Sequence, residues 1–447
     1  MRAERWRLLA DPNAVLFVAI SLLSGFGGAV MSLAAGVWVL DLTGSSSLAA
    51  LAGFCFFLPT LLGPVLGTVV DHLPRRPLAV WTLLLTAALV LSLLAVRSSD
   101  HLWLIYAVML GYGLSFILVD AAEAAILPAA LPPTALGGVN GLRMSAQEGV
   151  KLVAPLVGAG LFTWRGGPPV ALLAAALLVA AAGAYTLIKL RPRTGATADP
   201  ADAPGRSETP DAASAPGSDD TDAPHDAAAS GRLARFTART RAGVAYLWRR
   251  PALRLTVLIG SATIAMSGLN QAAVYAVVTG ALHRPPAFVG VLTSAQGAGS
   301  IVGGLIIGRL LTRWGPLAVG AVGALLFATG AAALTVPYWP VVLGGMMVIG
   351  LGLPWTLVAA MTAVQLDTPD RLLGRVSGTA STLLFTPITV FNPIGAAGVL
   401  LDRRVPSLVA AAVCLGCGLF GLYRRRLGAD LTGRADEPAG TVRTTDA

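Results

Sequence analysis

The sequence predicts an all-α membrane protein with twelve transmembrane helices, arranged as two pseudo-symmetric six-helix bundles. Of the 447 residues, 55% are hydrophobic and 12% are charged, and the mean hydropathy is +0.72. A soluble domain carries roughly 25% charged residues. Apolar windows of about 20 residues, the length of helix that crosses a bilayer core, recur over residues 13–423. They are continuous Ala, Leu, Val and Gly runs without the alternation of a barrel strand, so helices are favoured.

Six windows lie in the N-terminal bundle, which is assigned to residues 13–190. They span about 13–40, 47–70, 77–96, 102–125, 140–163 and 169–189. In the second window Gly63 and Gly67 are four residues apart, a spacing that lets two helices approach closely. The segment of residues 127–133, with prolines at 128, 132 and 133, is predicted to interrupt the helical structure between the fourth and fifth helices.

A change of composition separates the two bundles. Residues 191–231 are rich in Ala, Pro, Asp, Ser and Thr, and from residue 194 onward eight acids accompany a single arginine, Arg206. This composition predicts a disordered, acidic cytoplasmic linker. Residues 232–250 form a basic amphipathic segment, which is predicted to lie on the anionic inner leaflet or, alternatively, to extend the seventh helix into the cytoplasm.

The C-terminal bundle, residues 251–425, contains six further windows and repeats the first half in degenerate form. Gly304 lies as many residues after Gly63 as Gly308 lies after Gly67. Two similar bundles joined by a long loop predict a cavity between them, as in transporters. Residues 1–12 are assigned to a cytoplasmic N-terminus and residues 426–447 to a disordered tail.

The net charge of +9 is explained by membrane topology rather than by nucleic-acid binding. Basic residues concentrate at the N-terminus, in alternate loops, in the central segment and in the C-terminal tail. Arg143 is assigned to one of the turns between helices that carry these basic residues. The positive-inside rule therefore places both termini in the cytoplasm. We expect a multi-pass protein of the plasma membrane, whose charged start and long first window predict no cleavable signal peptide.

Neither an enzyme nor a bound cofactor is indicated. Cys414 and Cys417 have a redox or zinc spacing, but they lie in the last apolar helix without partner ligands, which favours packing over metal binding. The two lysines, Lys151 and Lys189, do not lie in the Gly-Lys-Ser/Thr sequence of an ATP-binding loop. An ion gradient is then the expected energy source, since one proton moving down 100 mV supplies about 2.3 kcal/mol.

Four charged residues lie within the apolar windows of helices four and five. Asp120 and Glu123 are three residues apart, and so are Glu148 and Lys151, so each pair shares one helix face. A charged side chain inside a membrane costs free energy, so such residues usually have a function. If the antiparallel helices are neighbours, three carboxylates and one ammonium meet and one acid is expected to carry a proton. The alternative is a Glu148–Lys151 ion pair, with Asp120 contacting the loop between helices two and three.

Polar and aromatic residues of the second half supply candidates for contacts with a substrate. An equally reasonable role for each is an interhelical hydrogen bond. The candidates are Asn270, Gln271, Tyr275, Gln296, Trp355 and Asn392.

The segment Gly67-x-x-x-Asp71-His72-x-x-Arg75-Arg76 resembles the signature of loop 2–3 in the major facilitator superfamily. Further motifs resemble the branch that contains macrolide-efflux proteins and the enterobactin exporter. They are Leu42-Thr-Gly-Ser45, Leu127-Pro through Pro132-Pro133, Tyr246-Leu-Trp-Arg-Arg250 and Gln365-Leu-Asp-Thr-Pro-Asp-Arg-Leu-Leu-Gly-Arg375-Val.

The resemblance implies the fold of this superfamily and proton-coupled export of small amphipathic molecules, such as drugs, antibiotics or siderophore-like compounds, by alternating access. It makes Gly67, Asp71, Arg75 and Arg76 a gating motif at the cytoplasmic side. The antiporter motif of helix five is matched in part, around Pro155 and Gly158. The expected partners are a small-molecule substrate, protons and the bilayer, and the expected state is a monomer.

Two alternatives remain open at this point. An importer or facilitator would use the same fold. A non-transporting membrane scaffold or sensor would use the acidic linker for docking.

Overall fold

The computed structural model describes residues 11–62, 73–189 and 244–435, and these residues contain no strand, twelve α-helices of at least 12 residues and a short helical stretch over 244–249. The helices are α1 Pro12–Thr43, α2 Ser46–Phe57, α3 Arg75–Leu91, α4 Leu102–Ala130, α5 Pro133–Arg165, α6 Gly167–Leu187, α7 Pro251–Ala276, α8 Phe288–Trp314, α9 Pro316–Ala333, α10 Trp339–Asp367, α11 Asp370–Leu401 and α12 Val405–Ala435. The all-α prediction is confirmed. The linker, most of the basic amphipathic segment, Gly67 and Asp71 lie outside the described residues.

Ten helical segments are long and apolar enough to cross a bilayer. The two remaining helices are α2, which continues as a 3-10 turn to Leu62 where the described stretch ends, and α5, whose 33 residues include Arg143, Glu148 and Lys151. The predicted count of twelve spans, and the side of the membrane on which the termini lie, stay predictions.

Turn chemistry defines several short connections between helices. Gly44 ends α1 with φ 68°, in the left-handed region that favours glycine, and its N–H bonds to the Leu40 carbonyl. Ser45 then caps α2, since its hydroxyl accepts a hydrogen bond from the Leu48 N–H at 3.4 Å. Proline in the first turn begins α5, α6, α7, α9 and α10, where its missing N–H costs nothing.

The break between α4 and α5 lies within the predicted segment of residues 127–133, but the ends of the two helices differ from the prediction. Pro128 does not end α4, because the ladder of hydrogen bonds continues around it and the Leu131 N–H still bonds to the Leu127 carbonyl at 3.1 Å. The break falls at Leu131 and Pro132, and α5 begins at Pro133 rather than near residue 140. Arg143, assigned to a turn, therefore lies in the third turn of a helix.

Helices of one half pack mainly on each other. In the N-terminal bundle α1 packs on α5 and α6, and α3 on α4 and α6; in the C-terminal bundle α7 packs on α11 and α12, and α10 on α8 and α9. Across the bundle interface α2 packs on α11 and α5 on α8. These two contacts are equivalent under the internal repeat, because α2 corresponds to α8 and α5 to α11.

The bundles meet most closely at the ends that carry the α1–α2, α5–α6, α7–α8 and α11–α12 turns, which we call the closed side. There the Ser47 hydroxyl of α2 bonds to the Ala396 carbonyl of α11 at 2.6 Å. A Cβ on Gly290 would lie 2.7 Å from the Pro155 carbonyl oxygen, and one on Gly297 would lie 2.5 Å from the Lys151 carbonyl oxygen. Glycine is therefore required where α8 crosses α5.

The bundles diverge toward the opposite ends, which we call the open side. Gly290, Gly297 and Gly304 recur every seven residues and so share one face of α8. A Cβ on Gly304 nevertheless meets no described atom within 4 Å, and the next residue, Leu305, is 79% exposed. Among the described residues, the contact of α8 with α5 at Gly290 and Gly297 is thus not continued at Gly304.

Asn13 connects three helices of the N-terminal bundle at the open side. Its side-chain N–H groups donate to the Ala130 carbonyl at 3.1 Å and the Lys189 carbonyl at 2.9 Å, and its side-chain oxygen accepts from the Lys189 N–H at 3.1 Å. The start of α1 is thereby held to the end of α4 and to the residues after α6.

Replacing Asn13 by alanine is expected to lower the free energy of unfolding by about 1–3 kcal/mol, because the buried carbonyl of Ala130 and the part-buried backbone groups of Lys189 lose their partner. Chemical unfolding in detergent micelles measures the change. The matched control is Thr329→Ala, which removes an exposed hydroxyl that bonds only to its own helix. Equal stability of the two variants would contradict this role of Asn13.

Candidate functional site

A charged centre lies among α1, α4, α5 and α6, consisting of Ser21, Asp120, Glu123, Arg143 and Tyr185. Arg143 Nη2 lies 2.7 Å from Glu123 Oε2, and Arg143 Nε donates to the Ser21 hydroxyl at 2.7 Å. The guanidinium group thus connects α5 to α4 and α1. Glu123 is 6% exposed, so its charge is compensated inside the protein rather than by water.

The two acids of α4 differ in their surroundings. Glu123 is buried against Arg143, whereas Asp120, one turn earlier, is exposed. Arg143 nevertheless interacts electrostatically with both carboxylates. Arg143 therefore faces two acids, the paired Glu123 and the exposed Asp120. All three lie toward the ends at which the bundles diverge.

The Tyr185 hydroxyl of α6 faces the carboxylate of the charged centre. Glu123 Oε1 and the Tyr185 hydroxyl are both buried, and the two side chains interact with each other. Helix α6 is thereby connected to the pair of Glu123 and Arg143.

The cation that contacts Glu123 is Arg143 and not Lys151. Lys151 lies two turns farther along α5, at its contact with α8, where its carbonyl faces Gly297. The Glu148 side chain lies outside what the structure describes. Sequence analysis missed Arg143 because it counted this arginine with the basic residues of the turns, although the predicted fifth helix, about 140–163, already contained it. No sequence signal indicated Ser21 or Tyr185.

The predicted gating motif is described only in its second half. Arg75 is the first residue of α3 and is exposed, and the Arg76 Nε donates to the Tyr185 carbonyl at 2.9 Å. Arg76 is thereby attached to α6 at the same residue whose hydroxyl faces Glu123.

Two of the residues predicted to contact a substrate form hydrogen bonds between helices of the C-terminal bundle. The Asn270 side-chain oxygen accepts a hydrogen bond from the Ser407 hydroxyl at 2.7 Å, which connects α7 to α12. Trp355 Nε1 donates to the Gly303 carbonyl at 3.1 Å, which connects α10 to α8. Both side chains are buried, at 4% and 6% exposure.

Two of the other four candidates contact the opposite bundle. The Tyr275 hydroxyl packs against Gly36 of α1, and Gln271, one turn earlier on α7, is exposed. Asn392 of α11 packs beside Gly53 of α2, and its Oδ1 is buried without a hydrogen-bond partner in the described residues. Gln296 of α8 is half-buried.

The helix-five motif lies where α5 meets two other helices. The Pro155 carbonyl faces Gly290 of α8, and a Cβ on Gly158 would lie 3.3 Å from the Val30 carbonyl oxygen of α1. Within the described ranges, no group of three or more His, Cys, Asp or Glu side chains is arranged to hold a metal ion.

Comparison with known proteins agrees with this architecture. The profile described as Major Facilitator Superfamily matches residues 15–274 and 255–442. No curated protein matches the sequence. Both halves of the chain are thus recognised by one family of membrane transporters.

Solved structures share the fold at low identity. The peptide transporter POT in complex with sulfate has a TM-score of 0.66 at 14% identity, over 94% of this chain and 95% of that one. A D-xylose–proton symporter has a TM-score of 0.61 at 13% identity, over 92% and 96%. A bacterial homologue of the iron transporter ferroportin, in an inward-facing state, has a TM-score of 0.62 at 14% identity, over 92% and 98%. The chain belongs to the major facilitator superfamily.

Proposed function

We propose that the protein is a proton-coupled secondary transporter that exports small amphipathic molecules across the plasma membrane by alternating access. The observation that carries the proposal is the buried ion pair of Glu123 and Arg143 between α4 and α5. A carboxyl group in this position can hold a proton, and the family fold supplies two bundles that can move against each other.

Protonation of Glu123 would remove the charge that holds Arg143 to α4. Arg143 also bonds to Ser21 of α1, so its release changes contacts among three helices of one bundle. A ligand shifts a conformational equilibrium only by its different affinity for the two states. A proton meets this condition here, because the ion pair exists only when Glu123 is charged.

The geometry supports access from the open side. Asp120 and Glu123 lie in the second half of α4, and Arg143 lies in the first third of α5, toward the ends at which the bundles diverge. With both termini in the cytoplasm, as the charge distribution predicts, this state faces inward. Export of a substrate taken up from the inner side follows the resemblance to the macrolide-efflux and enterobactin-exporter branch.

Glu123→Gln is the test of coupling, because glutamine keeps the shape of the side chain and cannot be deprotonated. In proteoliposomes with an imposed pH gradient, we expect gradient-driven flux of radiolabelled erythromycin to fall at least tenfold. Exchange of erythromycin across the membrane without a gradient should persist. The matched control is Asp402→Asn, a carboxyl-to-amide change at an exposed position after α11.

A second measurement needs no substrate. Acidification of the reconstituted protein is expected to add an infrared band of a protonated carboxyl group, and Glu123→Gln should lack this band. Unchanged gradient-driven flux in the Gln variant, or an unchanged infrared difference spectrum, would reject Glu123 as the coupling site. Absence of erythromycin flux in the wild type would reject the macrolide as a substrate.

A further inference from the structure

Helix α7 forms the floor of a groove between α11 and α12. These two helices each pack more extensively on α7 than on each other. The Ser261 hydroxyl of α7 donates to the Leu383 carbonyl of α11 at 2.6 Å, and Ile259 Cδ1 would lie 2.8 Å from a Cβ on Gly421 of α12. Leu258 lies between these contacts, about 60° around the helix from Ser261 and about 100° from Ile259 in the other direction. It is 39% exposed, so the floor is not covered there.

Arg254 lies at the open end of this groove. It precedes Leu258 by four residues, so the two share one face of α7, and its side chain is half-buried. The groove is on the outer surface of the C-terminal bundle, since α12 packs on α7, α9 and α11 of its own bundle. A charged side chain on the outer surface of a span is costly unless it reaches polar groups at the membrane surface. Arg254 is therefore expected to contact lipid headgroups.

Helix α12 contributes a second arginine to the same groove. Its contact with α7 is at Gly421, whereas Gly418 faces α9, since a Cβ there would lie 2.6 Å from Leu325 Cγ. Gly418 and Arg424 lie on opposite sides of Gly421 around the helix, each about 60° away. Arg424 is therefore beside α7 on the side away from α9, and it is exposed. Phe420, one turn before Arg424 on this side, is 51% exposed.

The two arginines lie at nearly the same depth. Helices α7 and α12 are antiparallel, so their residues can be compared from the level of Gly421, at which they touch. With a rise of about 1.5 Å per residue, Arg254 and Arg424 lie about 7.5 and 4.5 Å from this level toward the open side. Leu258 and Phe420 lie within about 1.5 Å of it. Two cations are thus placed at the open end of the groove, with apolar side chains deeper.

This arrangement matches the chemistry of an anionic phospholipid. Residues 251–276 of α7 and 405–427 of α12 contain four arginines and no acid. Among the described residues, neither Arg254 nor Arg424 forms an ion pair. A guanidinium group binds phosphate oxygens through two parallel hydrogen bonds, and basic pockets between spans bind anionic headgroups. With both termini in the cytoplasm, as the charge distribution predicts, the open side meets the anionic inner leaflet.

We propose that Arg254 and Arg424 form a binding site for one anionic phospholipid. The two guanidinium groups hold its phosphate, and its acyl chains lie on Leu258 and Phe420. The site is on the outside of the C-terminal bundle, whereas the charged centre lies among helices of the N-terminal bundle. Binding of the lipid requires neither a substrate nor a proton gradient, so this proposal and the proposed function can fail separately.

Native mass spectrometry of the purified full-length protein counts bound lipids as phosphatidylglycerol or phosphatidylcholine with the same acyl chains is titrated into the micelles. We expect the first phosphatidylglycerol to bind at least tenfold more tightly than the first phosphatidylcholine, which corresponds to about 1.4 kcal/mol. Arg254→Gln/Arg424→Gln should bring the two affinities together. Arg254→Lys/Arg424→Lys keeps both charges and should retain a preference for phosphatidylglycerol.

The matched control is Arg403→Gln/Arg404→Gln, which likewise removes one half-buried and one exposed arginine, but at the closed side. This variant should keep the tenfold preference. Phe420→Ala tests the apolar part of the groove and should weaken binding of both lipids without changing their ratio. Thermal unfolding of each variant shows whether it is folded.

Three outcomes would overturn the proposal. The first is equal affinity of the wild type for the two lipids, and the second is an unchanged preference in the folded Arg254→Gln/Arg424→Gln variant. The third is displacement of phosphatidylglycerol by inorganic phosphate at the same concentration, which would show an anion site without contact to acyl chains. None of these outcomes affects the test of Glu123.

Discussion

Arg143→Leu is expected to lower the free energy of unfolding by about 3–5 kcal/mol, the cost of removing one partner of a buried ion pair. The loss arises from Glu123, which is 6% exposed and would keep its charge without compensation. Ser21 loses its partner in the same variant. Arg143→Lys should recover only part of the stability, because an ammonium group lacks the planar fork that reaches both residues.

The double variant Arg143→Leu/Glu123→Leu distinguishes an uncompensated charge from a packing defect. Removal of both charges is expected to restore most of the lost stability, since apolar pairs often replace buried ion pairs without loss. Reversible unfolding in mixed detergent micelles gives the four corners of this double-mutant cycle. Arg404→Leu, at an exposed position, serves as the control and should change stability by less than about 0.5 kcal/mol. A double variant no more stable than Arg143→Leu would show that the loss does not come from the charge of Glu123.

Gly297→Val is expected to destabilise the closed side. A Cβ at this position would lie 2.5 Å from the Lys151 carbonyl oxygen, 2.7 Å from its carbon and 3.0 Å from the Leu152 nitrogen. All three atoms belong to the backbone of α5, so no change of rotamer relieves the overlap, and α8 must move away. The population in which α8 and α5 touch should therefore fall at least tenfold, which requires a difference of only about 1.4 kcal/mol between the states.

Disulfide cross-linking measures this population at the second contact between the bundles. Ser47→Cys and Ala396→Cys place two thiols where a hydroxyl and a carbonyl are 2.6 Å apart, in a background without Cys55, Cys414 and Cys417. We expect the cross-linking rate to fall when Gly297→Val is added. Gly304→Val is the matched control, because it adds the same side chain to the same face of α8 with no described atom within 4 Å. If both valine variants cross-linked at the rate of the parent, α8 and α5 would not control closure.

Local features of the chain allowed much of the fold to be predicted. Long apolar runs indicated the helices, and Gly44 with Ser45 marked the turn between α1 and α2. The break between α4 and α5 was predicted within residues 127–133 and lies at Leu131 and Pro132. Pro128 does not itself end α4, because a proline near the end of a helix removes only one hydrogen bond and the helix continues to Ala130. Arg143 was assigned to a turn although it lay inside the predicted fifth helix.

For the candidate site, the sequence indicated residue types but not their partners. Asp120 and Glu123 were recognisable, since acids inside an apolar helix are costly. Their contacts with Arg143, Ser21 and Tyr185 were not. Asn270 and Trp355 were reasonable candidates for substrate contacts by residue type. In the structure, each forms a hydrogen bond between helices of one bundle.

The sequence by itself determined the all-α class, the two-fold repeat and the presence of charges within the membrane, because hydropathy and turn chemistry are properties of short segments. Only the tertiary structure decided which charges meet, which side of the bundle pair is closed and which arginines face the groove between α11 and α12. Arg143 and Ser21, for example, are 122 residues apart in the chain. Such contacts depend on how whole helix faces pack, which the sequence of a single helix does not reveal.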